Sequence, residues 1–316
     1  MTQVQAPGVR TAADTPFELP ARVSLAHRIG MLLAVGVPPL GLLAAIIGMW
    51  GWGFTWVELV LFISMYAATG LGVTVGFHRL LTHRSFETYR PVKFALAVLG
   101  SMTLQGPVLN WVAVHRRHHQ HSDGIDDPHS PNLSGGGLWG TIAGWWHAHI
   151  GWMFRTDLSN LTEYVRDFRS DRMVQFVHRH FGAWVALGLL IPTVLGGVIS
   201  GTWTGALLGF LWGGLVRIFF GHHATFSINS ICHMWGGRPF RAHDNSRNNF
   251  LCGVLALGEG WHNNHHAFPT SARHGLAWWQ IDLSYVFIRT LAWTRLAWRV
   301  RVPGREAMDA KRAVPG

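Results

Sequence analysis

The sequence predicts an all-α integral membrane protein, with four transmembrane helices in two hairpins beneath a cytoplasmic helical cap. Three observations carry this reading. Hydrophobic residues make up 49% of the 316 residues and charged ones only 13%, well under the roughly 25% charged in soluble domains. The long apolar stretches form two pairs, each broken by a glycine-containing turn. Arginine is confined almost entirely to one side of those stretches.

Residues 1–26 are polar, with Pro7, Pro16 and Pro20, and read as a flexible cytoplasmic tail. Residues 29–57 and 59–77 carry no charge, and Gly48, Gly51 and Gly53 lie between their apolar runs. This predicts a hairpin of spans over 28–48 and 54–77, since about 20 apolar residues cross a bilayer. Residues 181–216 are also uncharged, too long for one crossing. Ser200-Gly201-Thr202 divides them into spans over 181–199 and 203–226. The stretch 94–114 is long enough to span. A crossing there would put the histidines at 78–83 and those from 115 onwards on opposite faces, so it is predicted to be interfacial or re-entrant around Gln105-Gly106-Pro107. Residues 27–300 thus form a single membrane domain, followed by a C-terminal tail over 301–316.

The turns at 49–58 and 200–203 contain no Arg or Lys, while the other connections hold nearly all of them. The positive-inside bias places both termini and every histidine cluster on the cytoplasmic side. The net charge of +10 is therefore read as topology signal and lipid-headgroup contact rather than nucleic-acid binding. Gly135-Gly136-Gly137-Leu138-Trp139-Gly140 fits G-x-G-x-x-G, but no predicted strand precedes it, so it is a turn and not a nucleotide site. Cys232 and Cys252, the only cysteines, cannot make a Cys₄ zinc or iron–sulfur centre.

Histidine is the outlier, at 20 residues. His115, His118 and His119 form one HxxHH cluster, and His262, His265 and His266 another. Spacing i, i+3, i+4 puts three imidazoles on one helical face. His78 and His83 are five apart, about 140° around an α-helix, and are expected to bracket a site rather than chelate from one face. Eight imidazoles in such groups suit two transition metals, though ligand type alone does not select iron. Asp123, Asp126, Asp127 and Glu259 are candidates to orient the rings. The histidines at 121, 129, 147, 149, 222, 223, 243 and 274 match no ligand position.

The stretches GFHRLLTHRSF (76–86), HRRHHQHSDGIDDPHSP (115–131), HIGWMF (149–154), HATFSINSICHMWG (223–236) and GEGWHNNHHAFP (258–269) resemble, in order, the membrane fatty acyl desaturase family. The resemblance implies a di-iron centre held by the three boxes, a ninth histidine at His233 and a water-bridging Asn229. It implies an O₂-dependent desaturase acting on a long acyl chain, with position nine of the chain as the bond oxidised. A separate ferredoxin-like or haem electron donor with its reductase is also implied, because no fused haem or flavin domain is expected to fit after residue 275. Where animal acyl-CoA enzymes of this family carry Arg-Asp before the second box, this chain has Ala113-Val114, so an acyl-lipid substrate stands beside acyl-CoA. Arg79, Arg84, Arg116 and Arg155 are the candidates for holding a charged headgroup, since arginine binds phosphate in a bidentate manner. A histidine-box hydroxylase and a metal transporter are the competing readings. A transporter would place its ligands near mid-bilayer.

Overall fold

The computed structural model describes residues 25–48, 51–155 and 160–313, with the backbone alone at 26, 27, 48 and 155. The tail expected over 1–26 therefore lies almost wholly outside the described residues. Helix α1 (Leu25–Gly48) turns at Gly51, φ +83°, into α2 (Trp56–Thr82). A capping box starts α2: the Thr55 hydroxyl accepts from the Val57 amide, and the Glu58 carboxylate accepts from the Thr55 amide at 2.7 Å. From Gly72 to Thr82 the same helix widens to i→i+5 bonding.

The stretch expected to re-enter is two short helices, α3 (Arg90–Ser101) and α4 (Val108–His121). Neither is long enough to span. The break is set by Leu104 and Gly106, both at positive φ, and by Pro107 at the start of α4. Its open carbonyls are held from elsewhere. Arg217 donates through Nη1 to the Met102 carbonyl at 2.8 Å and through Nη2 to that of Gly188 at 2.9 Å. His222 Nε2 donates to the Thr103 carbonyl at 2.9 Å. A fully buried arginine paired only with carbonyls is costly unless each bond is made; here it ties the broken stretch to two spans.

The glycine-rich run opens α5 (Gly137–Trp146) after positive-φ turns at Gly135 and Gly137, with no strand before it. Helix α6 (Arg172–Arg179) precedes the second hairpin, α7 (Phe181–Ser200) and α8 (Trp203–His233). Its turn is Gly201, φ +66°. Helices α1, α2, α7 and α8 are long and apolar enough to cross a membrane and fall on the four predicted stretches. Leu32, Leu40, Ile63, Leu190 and Val198 leave their outer faces apolar and exposed, as lipid contact requires.

Small residues let α7 and α8 approach closely. Pro192 and Gly196 face Gly205, Gly209 and Gly213, each set spaced by four. A Cβ on Gly196 would lie 2.3 Å from the Gly205 carbonyl oxygen, and one on Gly209 2.1 Å from that of Pro192. This is the small-xxx-small seam of membrane helices.

The rest forms a cap on the π-helical end of α2. It includes α9 (Phe250–Leu255), α10 (His262–Ala267) and α11 (Leu283–Trp293). A two-residue antiparallel ladder pairs Glu87–Thr88 with Ala297–Trp298. The cap core packs Phe77, Val112 and Val174 together, fixing the end of α2 against α4 and α6. The segment after 300 differs from the free tail expected. Helix α12 (Arg305–Lys311) returns to the domain, with the Arg241 amide on the Lys311 carbonyl at 2.7 Å and the Ala313 amide on that of Pro239 at 2.9 Å. These are backbone bonds, to which hydropathy is blind.

Gly209→Ala is expected to lower stability by about 1–3 kcal/mol, because backbone rather than a movable side chain stands in the way. Gly36→Ala, where nothing lies within 4 Å, is expected to be neutral. Thermal unfolding of both variants in detergent checks this.

Candidate metal centre

Nine histidines from four segments meet at the cap end of the spans, in two groups. His78, His83, His115, His119 and His265 form the first; His118, His233, His262 and His266 form the second. Within each group the facing ring nitrogens lie within 4.8 Å of one another. Each HxxHH box is shared between the two. The i, i+4 pair of α4 enters the first group and its middle residue the second; on α10 the middle residue, His265, enters the first group and the outer pair the second. Each box helix therefore runs between the two centres.

His78 and His83 do not bracket the site; they sit together, ring centroids 4.8 Å apart. The reason is the wide final turn of α2. The His83 amide donates to the His78 carbonyl at 3.1 Å, an i→i+5 bond, which stacks residues five apart where an α-helix would turn them away. His233 follows the last α-turn of α8 in a 3₁₀ turn. Asn229, one turn earlier, lines the cavities beside the centre.

Four carboxylates fix the rings. Nδ1 of His78 donates to Glu259 at 2.5 Å, that of His118 to Asp127 at 3.0 Å, that of His233 to Asp123 at 3.2 Å and that of His266 to Asp244 at 2.5 Å. Three of these acids were sequence candidates. Asp126 was the fourth, but it is exposed and 4.0 Å from His121. Asp244 was missed, because it lies eighteen residues before the box it serves and no spacing rule links them.

With Nδ1 holding the proton, Nε2 carries the lone pair. The Nε2 atoms nevertheless lie together: His78 to His265 3.1 Å, His119 to His265 2.9 Å, and His233 to His262 3.0 Å. Nε2 of His83 and of His266 is buried with no hydrogen-bond partner. Burial, then the neighbouring rings, push His83, His115, His119, His262, His265 and His266 well below the ordinary histidine pKa, so these rings are neutral at pH 7. Burial acts on His118 in the same direction, but Asp127 outweighs it and raises that ring's pKa. Neutral imidazoles whose ring nitrogens face one another this closely are a donor set for transition-metal cations. The residues present fit two such ions.

The headgroup arginines need correction. Arg79 is fully buried, its guanidinium on Glu259 at 2.6 Å and Asp282 at 3.1 Å. Arg116 donates to Asp167 at 2.8 Å and to the carbonyls of Leu81, Thr82 and Tyr164. Both build the site instead of facing a headgroup, because burial without a counter-charge would be prohibitive. Arg84 is exposed and paired with Asp167 at 2.5 Å. The side chain of Arg155 lies outside the described residues.

Among the remaining histidines, His149 bonds His223 at 3.0 Å and Ser230 at 2.9 Å, while His129 sits by Asp127 and His274 by Glu259. They flank the centre without entering either group. Two apolar cavities reach it, of about 70 and 330 Å³. Both are lined by Gln105, Trp111, His115, Thr225 and Asn229. Sequence reasoning missed Trp111 and Thr225, which no motif marks.

Four span-length apolar helices and two buried histidine groups define a helical membrane protein with a site suited to metal. Residues 51–299 match the fatty acid desaturase family. A hex-5-enoyl-(acyl-carrier protein) acetylenase of Moorena producens (strain JHB) is 45% identical over 278 residues, 87% of each chain. An sn-1 stearoyl-lipid 9-desaturase of Anabaena variabilis is 38% identical, over 80% of this chain and 87% of the relative. An icosanoyl-CoA 5-desaturase of Limnanthes douglasii is 38% identical, over 80% of this chain and 66% of the relative. The chain belongs to the fatty acid desaturase family. It is an oxidoreductase that desaturates fatty acyl chains, and the hydroxylase reading is not favoured.

His118→Ala is expected to abolish desaturation and to lower metal content by about one ion per chain, since it takes one of the four imidazole donors from the second group. His274→Ala is expected to keep both ions. Metal analysis of the purified variants checks this.

Proposed function

We propose that this chain introduces a cis double bond, at position 9, into a long saturated acyl chain carried on a membrane lipid, with two irons held by the nine histidines. Asn229 would hold a water on the second iron. The observation that carries the reading is the meeting of the two apolar cavities against the histidine groups. When bound, the irons would supply the O₂-derived oxidant that removes hydrogen from an unactivated methylene, which no side-chain acid or base can do. In balance, one O₂, two electrons, two protons and the two hydrogens of the chain give one C=C bond and two waters.

The protein's own residues supply position. The chain would run from the larger cavity, past the centre, into the smaller one. The passage is clamped where Gln105 Nε2 donates to Thr225 Oγ1 at 3.0 Å and Trp111 lies parallel to His115, centroids 5.0 Å apart. An acyl chain bent there presents two neighbouring carbons to the same face, the geometry of a cis product. The far end is shut by Tyr66, whose hydroxyl donates to the Leu255 carbonyl at 2.7 Å. Tyr66 lies about 18 Å of helix from His78, so it would meet the methyl end. The apolar walls exclude water from the reacting carbons.

Two features support a lipid carrier over coenzyme A. Among the described residues no arginine or lysine lines the larger cavity; its walls include Met31, Ala34 and Val35 of α1 and Phe181 of α7. Val114, where the animal enzymes keep an acid, lines it too. A carrier rich in phosphate needs cations at the mouth, whereas a glycerolipid already in the bilayer does not. Positive-inside bias supports a cytoplasmic site with both termini on that side.

With one electron-donor system and matched stearoyl chains, a stearoyl glycerolipid in vesicles is expected to be converted at least about tenfold faster than stearoyl-CoA. Product analysis by mass spectrometry should place the new bond at carbon 9. Rapid turnover of the coenzyme A ester with the glycerolipid untouched would reject the lipid carrier.

A further inference from the structure

We propose that the surface loop from Arg238 to Arg247 is the port at which an acidic, soluble one-electron carrier protein docks to reduce the metal that the four-histidine group would hold. The inference rests on the desaturase reading, whose chemistry takes two external electrons for each double bond.

The first observation is connectivity. Asp244, which holds His266, lies 3.7 Å from Nε2 of His243, and the His243 side chain is 61% exposed. Asp123, which holds His233, accepts the amide of the exposed Asn245 at 2.6 Å. Residues 243–245 therefore lie directly over two carboxylates, each bonded to a ring of the same group. The other two carboxylates lead inward: the side chains that meet Asp127 are His118 and His129, and those that meet Glu259 are His78, Arg79 and His274, all buried. Among the described residues, the loop gives a short bonded path from solvent to the four-histidine group, and the exposed Asn132, whose Nδ2 donates to Asp123 at 2.6 Å, lies beside it on the same carboxylate.

The second observation is charge. Arg238, Arg241 and Arg247 lie in the loop, and α12 brings Lys311 and Arg312 beside it through the Phe240–Arg312 bridge. Arg238, Arg241, Arg247 and Lys311 donate to the carbonyls of Asp244, Ala310, Gly236 and Ala267 respectively. Carbonyls orient a cation without cancelling it; among the described residues no carboxylate pairs with these four, whereas Arg312 has Asp309 at 3.2 Å. Such a patch steers an acidic partner into contact and makes its association salt-dependent. The loop shows no large exposed apolar side chain, whereas the neighbouring surfaces carry Phe250, Leu251, Trp278 and Trp279. Those surfaces suit lipid; the loop suits a soluble protein.

The step balances simply. A reduced carrier gives up one electron and leaves oxidised, and two encounters supply one catalytic cycle.

The test uses the full-length iron-loaded enzyme and a plant-type [2Fe–2S] ferredoxin. Arg241→Glu with Arg312→Glu is expected to weaken ferredoxin binding about tenfold at low salt and to flatten its salt dependence. The same variant should lower kcat/KM for reduced ferredoxin by a similar factor, yet leave turnover driven by dithionite and methyl viologen unchanged. Unaltered ferredoxin binding and kcat/KM would overturn the port. So would an equal loss with the small mediator, which would make these arginines part of the enzyme's own framework. Lost binding to phosphatidylglycerol vesicles with ferredoxin unaffected would assign the patch to lipid and overturn it as well. If ferredoxin binds through these residues and no acyl chain is oxidised, the port stands and the desaturase reading falls.

Discussion

An imidazole that gives its Nδ1 proton to a buried carboxylate must point its Nε2 lone pair the other way. Glu259, Asp127, Asp123 and Asp244 impose this on one ring from each of four segments, and the rest of the structure serves that arrangement. Nine imidazoles gathered this closely have more lone pairs than protons to share. A cation that takes those lone pairs relieves the crowding, so metal affinity and folding of the cap are coupled. The burial that drives the rings neutral also makes them ligands, because a protonated ring cannot bind. Arg79 shows how far this is carried. It compensates Glu259 and Asp282 at once inside the cap, and losing Arg79 would leave two buried carboxylates without that counter-charge.

Bringing those segments to one end of the membrane domain requires two departures from regular helix. One is the π-turn ending α2, which stacks His83 over His78. The other is the break at Leu104–Pro107, which turns a stretch of spanning length into two short helices so that α4 stays with the cap. Arg217 and His222 hold that break from within α8, and Gln105 lies inside it. The segment that keeps the histidines together therefore also shapes the passage where the acyl chain would bend. Departures of this kind gather at functional sites because regular structure cannot supply the geometry.

What the sequence disclosed follows the same logic. The four spans were legible because lipid demands about 20 apolar residues in a row, a signal few other constraints produce. The histidine boxes were legible because i, i+4 spacing is a property of one helix. The non-spanning character of 94–114 followed from a requirement of the site itself. What escaped was contact between distant segments. The sharing of each box between two centres, the service of Asp244 to His266, and the Gln105–Thr225 clamp all depend on tertiary placement. The π-turn escaped because α-helical geometry was assumed for His78 and His83. Arg79 and Arg116 were misjudged because an arginine near a site looks the same in sequence whether it faces a ligand or a buried acid. The segment after 300 looked like a tail because it docks through backbone groups and two long cations, which leave no apolar pattern.

The central claim is that the nine histidines hold two separate metal ions, one within each group. Anomalous diffraction from crystals of the purified enzyme, collected on either side of the iron edge, tests it most directly. Two iron peaks are expected, one among His78, His83, His115, His119 and His265 and one among His118, His233, His262 and His266. A single peak shared by both groups, or iron bound outside them, would contradict the account.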